Sequence, residues 1–219
     1  MHGSPHIVAD VMTRAVITAN RKDSFKDLVR IMQDHRVGAL PVVDAVGRVM
    51  GVVSQADLLP KEEFRNSDPD RYTQLRRLSD LAKAGSVTAE ELMTSPALTV
   101  RAGATLAQAA RTMARSRVKR LPVVDAAGRL EGVVSRADLL KVFLRDDEAI
   151  AEEIRQEVVA YLLPAPASAV WVEVREGVVL LSGRVRDRAL VPVAARLARA
   201  VEGVVDVRFD LAGDGSAAE

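Results

Sequence analysis

The residues in this chain best suited to chemistry are two serine–aspartate pairs, Ser54 with Asp57 and Ser135 with Asp138. Each pair has the spacing S-x-x-D and follows an apolar run that gives way to a helical pattern. At a helix start, free backbone N–H groups and the positive dipole end favour an anion. A hydroxyl there can join a phosphate cradle. A carboxylate one turn on can accept hydrogen bonds from two sugar hydroxyls; it would repel phosphate, so it must face the sugar. The same spacing also describes a capping box that only ties down the helix start. On these residues alone the two readings stand level. Lys119 and Arg120, with Arg117 nearby, form the other notable group. Polyphosphates need cationic partners, although a solvated pair at a strand edge is the alternative.

Other chemistries are excluded or weakly supported. The chain has no cysteine, which removes disulfides, thiolate metal sites and cysteine nucleophiles. His2, His6 and His35 are too scattered for a metal site. The acidic pairs Glu62-Glu63, Glu90-Glu91 and Glu152-Glu153 are sequence neighbours, and neighbours on a helix point apart. Neither a G-x-S-x-G elbow nor a G-x-x-x-x-G-K-[ST] loop occurs. Among 219 residues, 31 basic side chains face 30 acidic ones, and this near-neutral balance argues against a protein that coats nucleic acid or binds anionic membranes. Aromatic residues make up 3%, too few for base-stacking platforms. No apolar run approaches the ~20 residues needed to span a bilayer. Residues 1–16 show no apolar signal core, so a cytoplasmic protein is expected.

The elements that position these residues come in two copies. Residues 10–59 align with 91–140 at an offset of 81 without gaps, giving 23 identities in 50 positions. Within 36–59 the count rises to 18 of 24, which chance does not give. Each copy opens with an extended piece ending at Ile17-Thr18 or Leu98-Thr99. A helix follows, capped by Ser24 with Asp27 or by Thr105 with Gln108. Then come the strand Leu40–Asp44, a turn at Gly47, the strand Val49–Val53 and a helix from Ser54, each repeated in the second copy. The order is β-α-β-β-α. Such a short strand pair leaves an apolar face open, and a second copy is its natural cover. Between the copies, Lys61–Asp70 reads as a charged exposed loop. Tyr72–Ala84 reads as an extra helix with Leu75, Leu78 and Leu81 on one stripe.

From about Glu148 the pattern changes. Ala149–Leu163 reads as a helix with Ile150, Ile154, Val158 and Leu162 at spacing four. The strand Val170–Val174 and the return strand Val178–Val185 are joined by a tight Glu176-Gly177 turn. A helix capped by Asp187 runs to Val201, with Pro192 forcing a late start or a kink. A last strand, Val204–Leu211, completes the order αββαβ. Trp171 lies on the strand face opposite the valines. It suits a partner anchor, though such a residue more often packs under its own domain.

The repeated Met-Thr start, LPVVD, the turn glycine and G-V-V-S-x-A-D-L-L resemble the CBS domain over residues 7–144. V-x-V-x-x-G-V-V-L-L-S-G-x-V (172–185) and V-E-G-V-V-D-V (201–207) resemble the BON domain. The expected architecture is mixed α/β and α+β. Two CBS repeats (7–60 and 90–145) would pack as one pseudo-symmetric Bateman module, joined by a helical linker (61–89). A small BON domain (148–212) and a disordered tail (213–219) would follow. The resemblance implies a non-enzymatic regulatory protein with no catalytic cofactor. Its regulatory ligand would be AMP, ADP, ATP or S-adenosylmethionine, held with the Ser on phosphate and the Asp on ribose. Family sites are composite, so one would join Ser135 and Asp138 to Ile17, Val37 and Gly38. The other would join Ser54 and Asp57 to Leu98, Val118 and Lys119. Thr18 and Thr99 are further contacts, and Arg120 joins Lys119 if the ligand is phosphate-rich. The apolar members also fit plain core. A homodimer is expected, with an unidentified protein partner reached through the BON domain. The alternatives are a ligand-free dimerisation scaffold, and a membrane or nucleic-acid adaptor.

Overall fold

The computed structural model describes residues 6–64, 78–163, 169–185 and 187–213. The chain divides into two compact units, one of residues 6–138 and one that includes 139–219.

In the first unit, α1 (Val8–Val11), β1 (Ala19–Asn20), α2 (Phe25–Asp34), β2 (Ala39–Val43), β3 (Val49–Ser54) and α3 (Gln55–Leu58) form the first repeat. The connection contributes α4 (Pro60–Glu63) and α5 (Leu78–Gly85). The second repeat follows as α6 (Ala89–Leu92), β4 (Val100–Arg101), α7 (Leu106–Arg115), β5 (Arg120–Val124), β6 (Leu130–Ser135) and α8 (Arg136–Leu140). Each repeat carries a three-stranded sheet. In β1–β2–β3, β1 lies parallel to β2 and β3 antiparallel to it, and β4–β5–β6 repeats this register residue for residue. The opening strands lie one step beyond the sequence expectation. Ile17, Thr18, Leu98 and Thr99 precede the paired residues, because the ladder begins at Ala19↔Val42 and Val100↔Val123. Lys61–Glu63 lies in α4, with Phe64 as its C-cap, rather than in a loop, and the 65–70 part of that expected loop is outside the described residues. So is the 72–77 part of the expected helix, which is described from Leu78.

Local chemistry explains the repeated elements. The Ser24 hydroxyl oxygen accepts from Asp27 N–H while the Asp27 carboxylate accepts from Ser24 N–H, and Thr105 with Gln108 does the same for α7. The Ser24 contacts hold the Asp27 carboxyl below the usual carboxylate range. After β2 and β5, Asp44 and Asp125 each accept hydrogen bonds from two backbone N–H groups across the turn. Gly47 and Gly128 take φ of +80° and +79° there, a region that penalises any Cβ. The core of the first repeat gathers Leu28, Met32, Leu40, Val42, Val53 and Leu58 with Ala89 and Leu92 of α6. Each large side chain so buried contributes about 1.5–3 kcal/mol.

The two repeats are interlaced by their opening segments. Val8 and Ala9 of α1 donate to Ala104 and Ala102 of the second repeat, and Thr13 bridges Val133 with N–H···O distances of 2.9 Å in both directions. Reciprocally, Ala89 and Glu90 of α6 donate to Asp23 and Arg21 of the first repeat, and Thr94 bridges Val52. This contact explains the Met and Gly of the motif. A Cβ on Gly51 would stand 2.5 Å from Met93 Sδ, and one on Gly132 would stand 2.7 Å from Met12 Sδ. Each repeat's methionine fills the space left by the other repeat's glycine.

The second unit has α9 (Asp147–Ile154), a π-helical turn (Arg155–Val159) and α10 (Ala160–Leu162), then β7 (Ala169–Arg175), β8 (Val178–Val185), α11 (Val191–Ala200) and β9 (Asp206–Gly213). β8 is central, antiparallel to β7 and parallel to β9. The π turn adds a residue to the stripe, so Leu163 rather than Leu162 is buried beside Ile150, Ile154 and Val158. Pro192 lies in the first turn of α11, which starts late after a 3₁₀ turn capped by Asp187. Glu176 and Gly177 form the hairpin with positive φ, and the Asp147 carboxylate accepts from both their N–H groups at 2.8 and 2.9 Å. Trp171 is 65% exposed and lies over Gly183, so it does not pack beneath helices of its own domain. No described helix is long and apolar enough to cross a membrane.

Candidate nucleotide site

The interlacing brings the opening segment of the first repeat against β5, β6 and α8 of the second. A cleft of about 220 Å³ forms there, lined by Thr13, Ile17, Val37, Arg120, Ser135 and Asp138, together with Pro41, Pro122, Val52 and Val133. Ile17 and Val37 also pack on the first repeat's core, so they are both wall and core. Gly38 adjoins the cleft without lining it; a Cβ there would stand 3.7 Å from Arg120 Nη2. Thr18 does not line it.

Ser135 and Asp138 form a complete N-terminal cap. The Asp138 carboxylate accepts from Ser135 N–H at 2.9 Å and from its hydroxyl at 2.7 Å, and Asp138 N–H donates to Ser135 Oγ at 3.3 Å. Helix α8 has five residues, so its dipole adds little to any anion site. The cation comes instead from the sheet. Arg120 pairs in register with Ser135 across β5 and β6, on the cleft side. Its side chain makes no hydrogen bond or ion pair among the described residues. Lys119 and Arg120 therefore part company: Arg120, the first residue of β5, lines the cleft, while Lys119 precedes the strand and is exposed. The sequence expectation tied both to one polyphosphate site, and only Arg120 lines this one.

The other expected site is arranged differently. Ser54 and Asp57 make the same contacts, with Ser54 N–H and hydroxyl both 2.7 Å from the Asp57 carboxylate. The other Asp57 oxygen is held by an ion pair with Lys83 of α5, which also reaches Thr94 Oγ1 at 3.3 Å. Leu98 is 47% exposed and Thr99 is exposed. Val118 and Lys119 accept hydrogen bonds from Arg136 through their carbonyls, within their own repeat. Thr13, the direction of Arg120 and the role of Lys83 escaped the sequence reading. Nothing in the spacing separates Arg120, the first residue of β5, from Lys119 just before it, and a lone lysine in a connecting segment carries no spacing signal either. No cluster of three or more His, Asp or Glu able to hold a metal occurs among the described residues.

The sheets, the interlacing and the paired S-x-x-D caps define a tandem CBS module, and the chain belongs to the CBS-domain family. The CBS domain profile matches residues 8–61 and 89–145, and the BON domain profile matches 146–212. Among its relatives, an uncharacterized protein of Methanocaldococcus jannaschii is 24% identical over 160 residues, covering 66% of this chain and 95% of the relative. The CBS domain-containing protein CBSX2, chloroplastic, of Arabidopsis thaliana is 31% identical over 153 residues, 64% of each chain. A crystal structure of CBSX2 in complex with AMP matches with a TM-score of 0.56 at 30% identity, covering 64% of this chain and 97% of that one.

Proposed function

We propose that this protein is a non-enzymatic sensor whose CBS pair binds an adenosine-containing ligand and signals to a partner in trans. The observation that carries the reading is Arg120, an unpaired guanidinium in the same cleft as an apolar wall and a Ser–Asp cap. Adenine would pack on Ile17 and Val37, the ribose hydroxyls would donate to Asp138, and the phosphate would face Arg120 and Ser135. One arginine suits a monophosphate better than a triphosphate. S-adenosylmethionine brings a sulfonium and no phosphate, so it leaves Arg120 unused and ranks below AMP. The AMP complex of the similar CBSX2 supports this choice. The ligand would shift the module between conformations by no more than its differential affinity for them. A homodimer in the cytoplasm, with a protein partner reached through the BON domain and its exposed Trp171, completes the proposal.

A second reading is supported by the cap itself. Ser135 and Asp138 satisfy one another without a ligand, as a dimerisation scaffold would require. Thermal unfolding with AMP, ADP, ATP and S-adenosylmethionine separates the two. A ligand at 100 times its Kd stabilises by about 2.7 kcal/mol, which is several degrees for a protein of this size. The expected result is a rise with AMP that Asp138→Ala abolishes and Asp57→Ala retains. No shift with any of the four at millimolar concentration would leave the scaffold.

A further inference from the structure

The geometry points to Lys83 as the residue that closes the second nucleotide site and limits each chain to one ligand. This rests on the proposed reading of the cleft beside Ser135. The offset of 81 maps Thr13 and Asp138 of that cleft onto Thr94 and Asp57. The Lys83 ammonium contacts just these two side chains, paired with one Asp57 oxygen and 3.3 Å from Thr94 Oγ1. It therefore occupies the place where a ribose would meet the carboxylate.

The contact is sheltered and anchored. The Lys83 and Asp57 side chains are only 20% and 13% exposed. The segment bearing Lys83 is tied down by Lys61, which donates to Ala84 O at 2.9 Å while lying 5.3 Å over the Phe25 ring. Asp57 has no oxygen to spare, because Ser54 uses one and Lys83 the other. A sugar hydroxyl is a neutral donor. To displace the ammonium it would have to leave a sheltered cation without its counter-charge, and neutral hydrogen bonds are about half as strong as charge-assisted ones. The repeats thus differ in function although the Ser, Asp and Thr of the two sites are the same: one cap opens on a cleft with an unpaired arginine, and the other, with Ala39 in place of that arginine, is sealed by a lysine from the connection.

The test is calorimetric titration of the full chain with AMP. The wild type is expected to bind one AMP per chain, and Asp138→Ala to bind none. Lys83→Met, which keeps the aliphatic stem, is expected to bind two, the second more weakly because Ala39 stands where the first cleft has Arg120, with the added site lost again on Asp57→Ala. Lys83→Gln provides a second opened form should the methionine variant fold poorly. Two AMP per wild-type chain, residual binding in Asp138→Ala, or a single AMP in folded Lys83→Met and Lys83→Gln would overturn the assignment. Binding only after Lys83 is replaced would sustain the plug and sink the reading of the first cleft. No binding by any form would sink both.

Discussion

Replacing Arg120 by methionine isolates the phosphate contact in the cleft. The Arg120 side chain makes no hydrogen bond or ion pair among the described residues, so the fold loses no polar partner and stability should stay within about 0.5 kcal/mol of wild type. A charge-assisted hydrogen bond contributes about 1.5–3 kcal/mol net, and about 1.4 kcal/mol is a tenfold change in Kd. AMP should therefore bind roughly 10- to 150-fold more weakly to Arg120→Met. Adenosine lacks the phosphate and should bind the variant and the wild type within about twofold of one another. Arg120→Lys keeps the charge but not the planar fork, so it should fall between the two. The assay is titration calorimetry with both ligands at low and high salt, and the AMP difference should shrink as salt rises. Equal losses for AMP and adenosine would show that Arg120 shapes the cleft rather than meeting phosphate, and no loss for either would remove it from the site.

Three further outcomes follow from the packing and the caps. Gly51→Ala places a Cβ within 2.5 Å of Met93 Sδ and 2.9 Å of Thr94 O, so it should lower the melting temperature by several degrees, about 1–3 kcal/mol. Gly132→Ala, 2.7 Å from Met12 Sδ and 3.0 Å from Thr13 O, should cost somewhat less, and calorimetric melting curves of the two variants decide the order. Asp147→Ala removes the acceptor for Glu176 and Gly177 N–H and should weaken the BON hairpin by about 1–2 kcal/mol, read as faster amide exchange at those residues. Hydrogen bonds from Ser24 to Asp27, from Val87 N–H to Glu91 and from Arg129 N–H to Asp125 hold these carboxyls below their ordinary values. A carboxyl depressed in the folded state stabilises it fully above the unfolded pKa, near 4, and this is lost as pH falls through the folded value. Melting temperature should thus be flat above about pH 5 and fall below about pH 4, a drop that Asp125→Asn makes shallower.

Much of this architecture was legible in the chain because it is written twice. The offset of 81 revealed the repeat, and the capping residues Ser24 and Thr105 marked α2 and α7 where they occur. Residues whose roles depend on the other repeat were harder to read. Gly51 and Gly132 read as generic motif positions until Met93 and Met12 are laid against them. Arg120 looked like the companion of Lys119, and only its pairing with Ser135 turns it into the cleft. The helix in the second unit slipped by one residue because nothing in Arg155–Val159 announces a π turn. Lys83 was invisible for a different reason: its partner lies 26 positions back, and no spacing pattern links the two.

The crossed seating of α1 and α6 amounts to an exchange of arms within a single polypeptide. In assembly terms, each half carries a hook for the other and an empty socket of its own. The connection between them then acts as a tether that sets the local concentration of hook around socket. Cleaving the chain between the repeats would not yield two independent domains. It would turn a fold whose integrity is insensitive to dilution into a two-chain complex that falls apart when diluted.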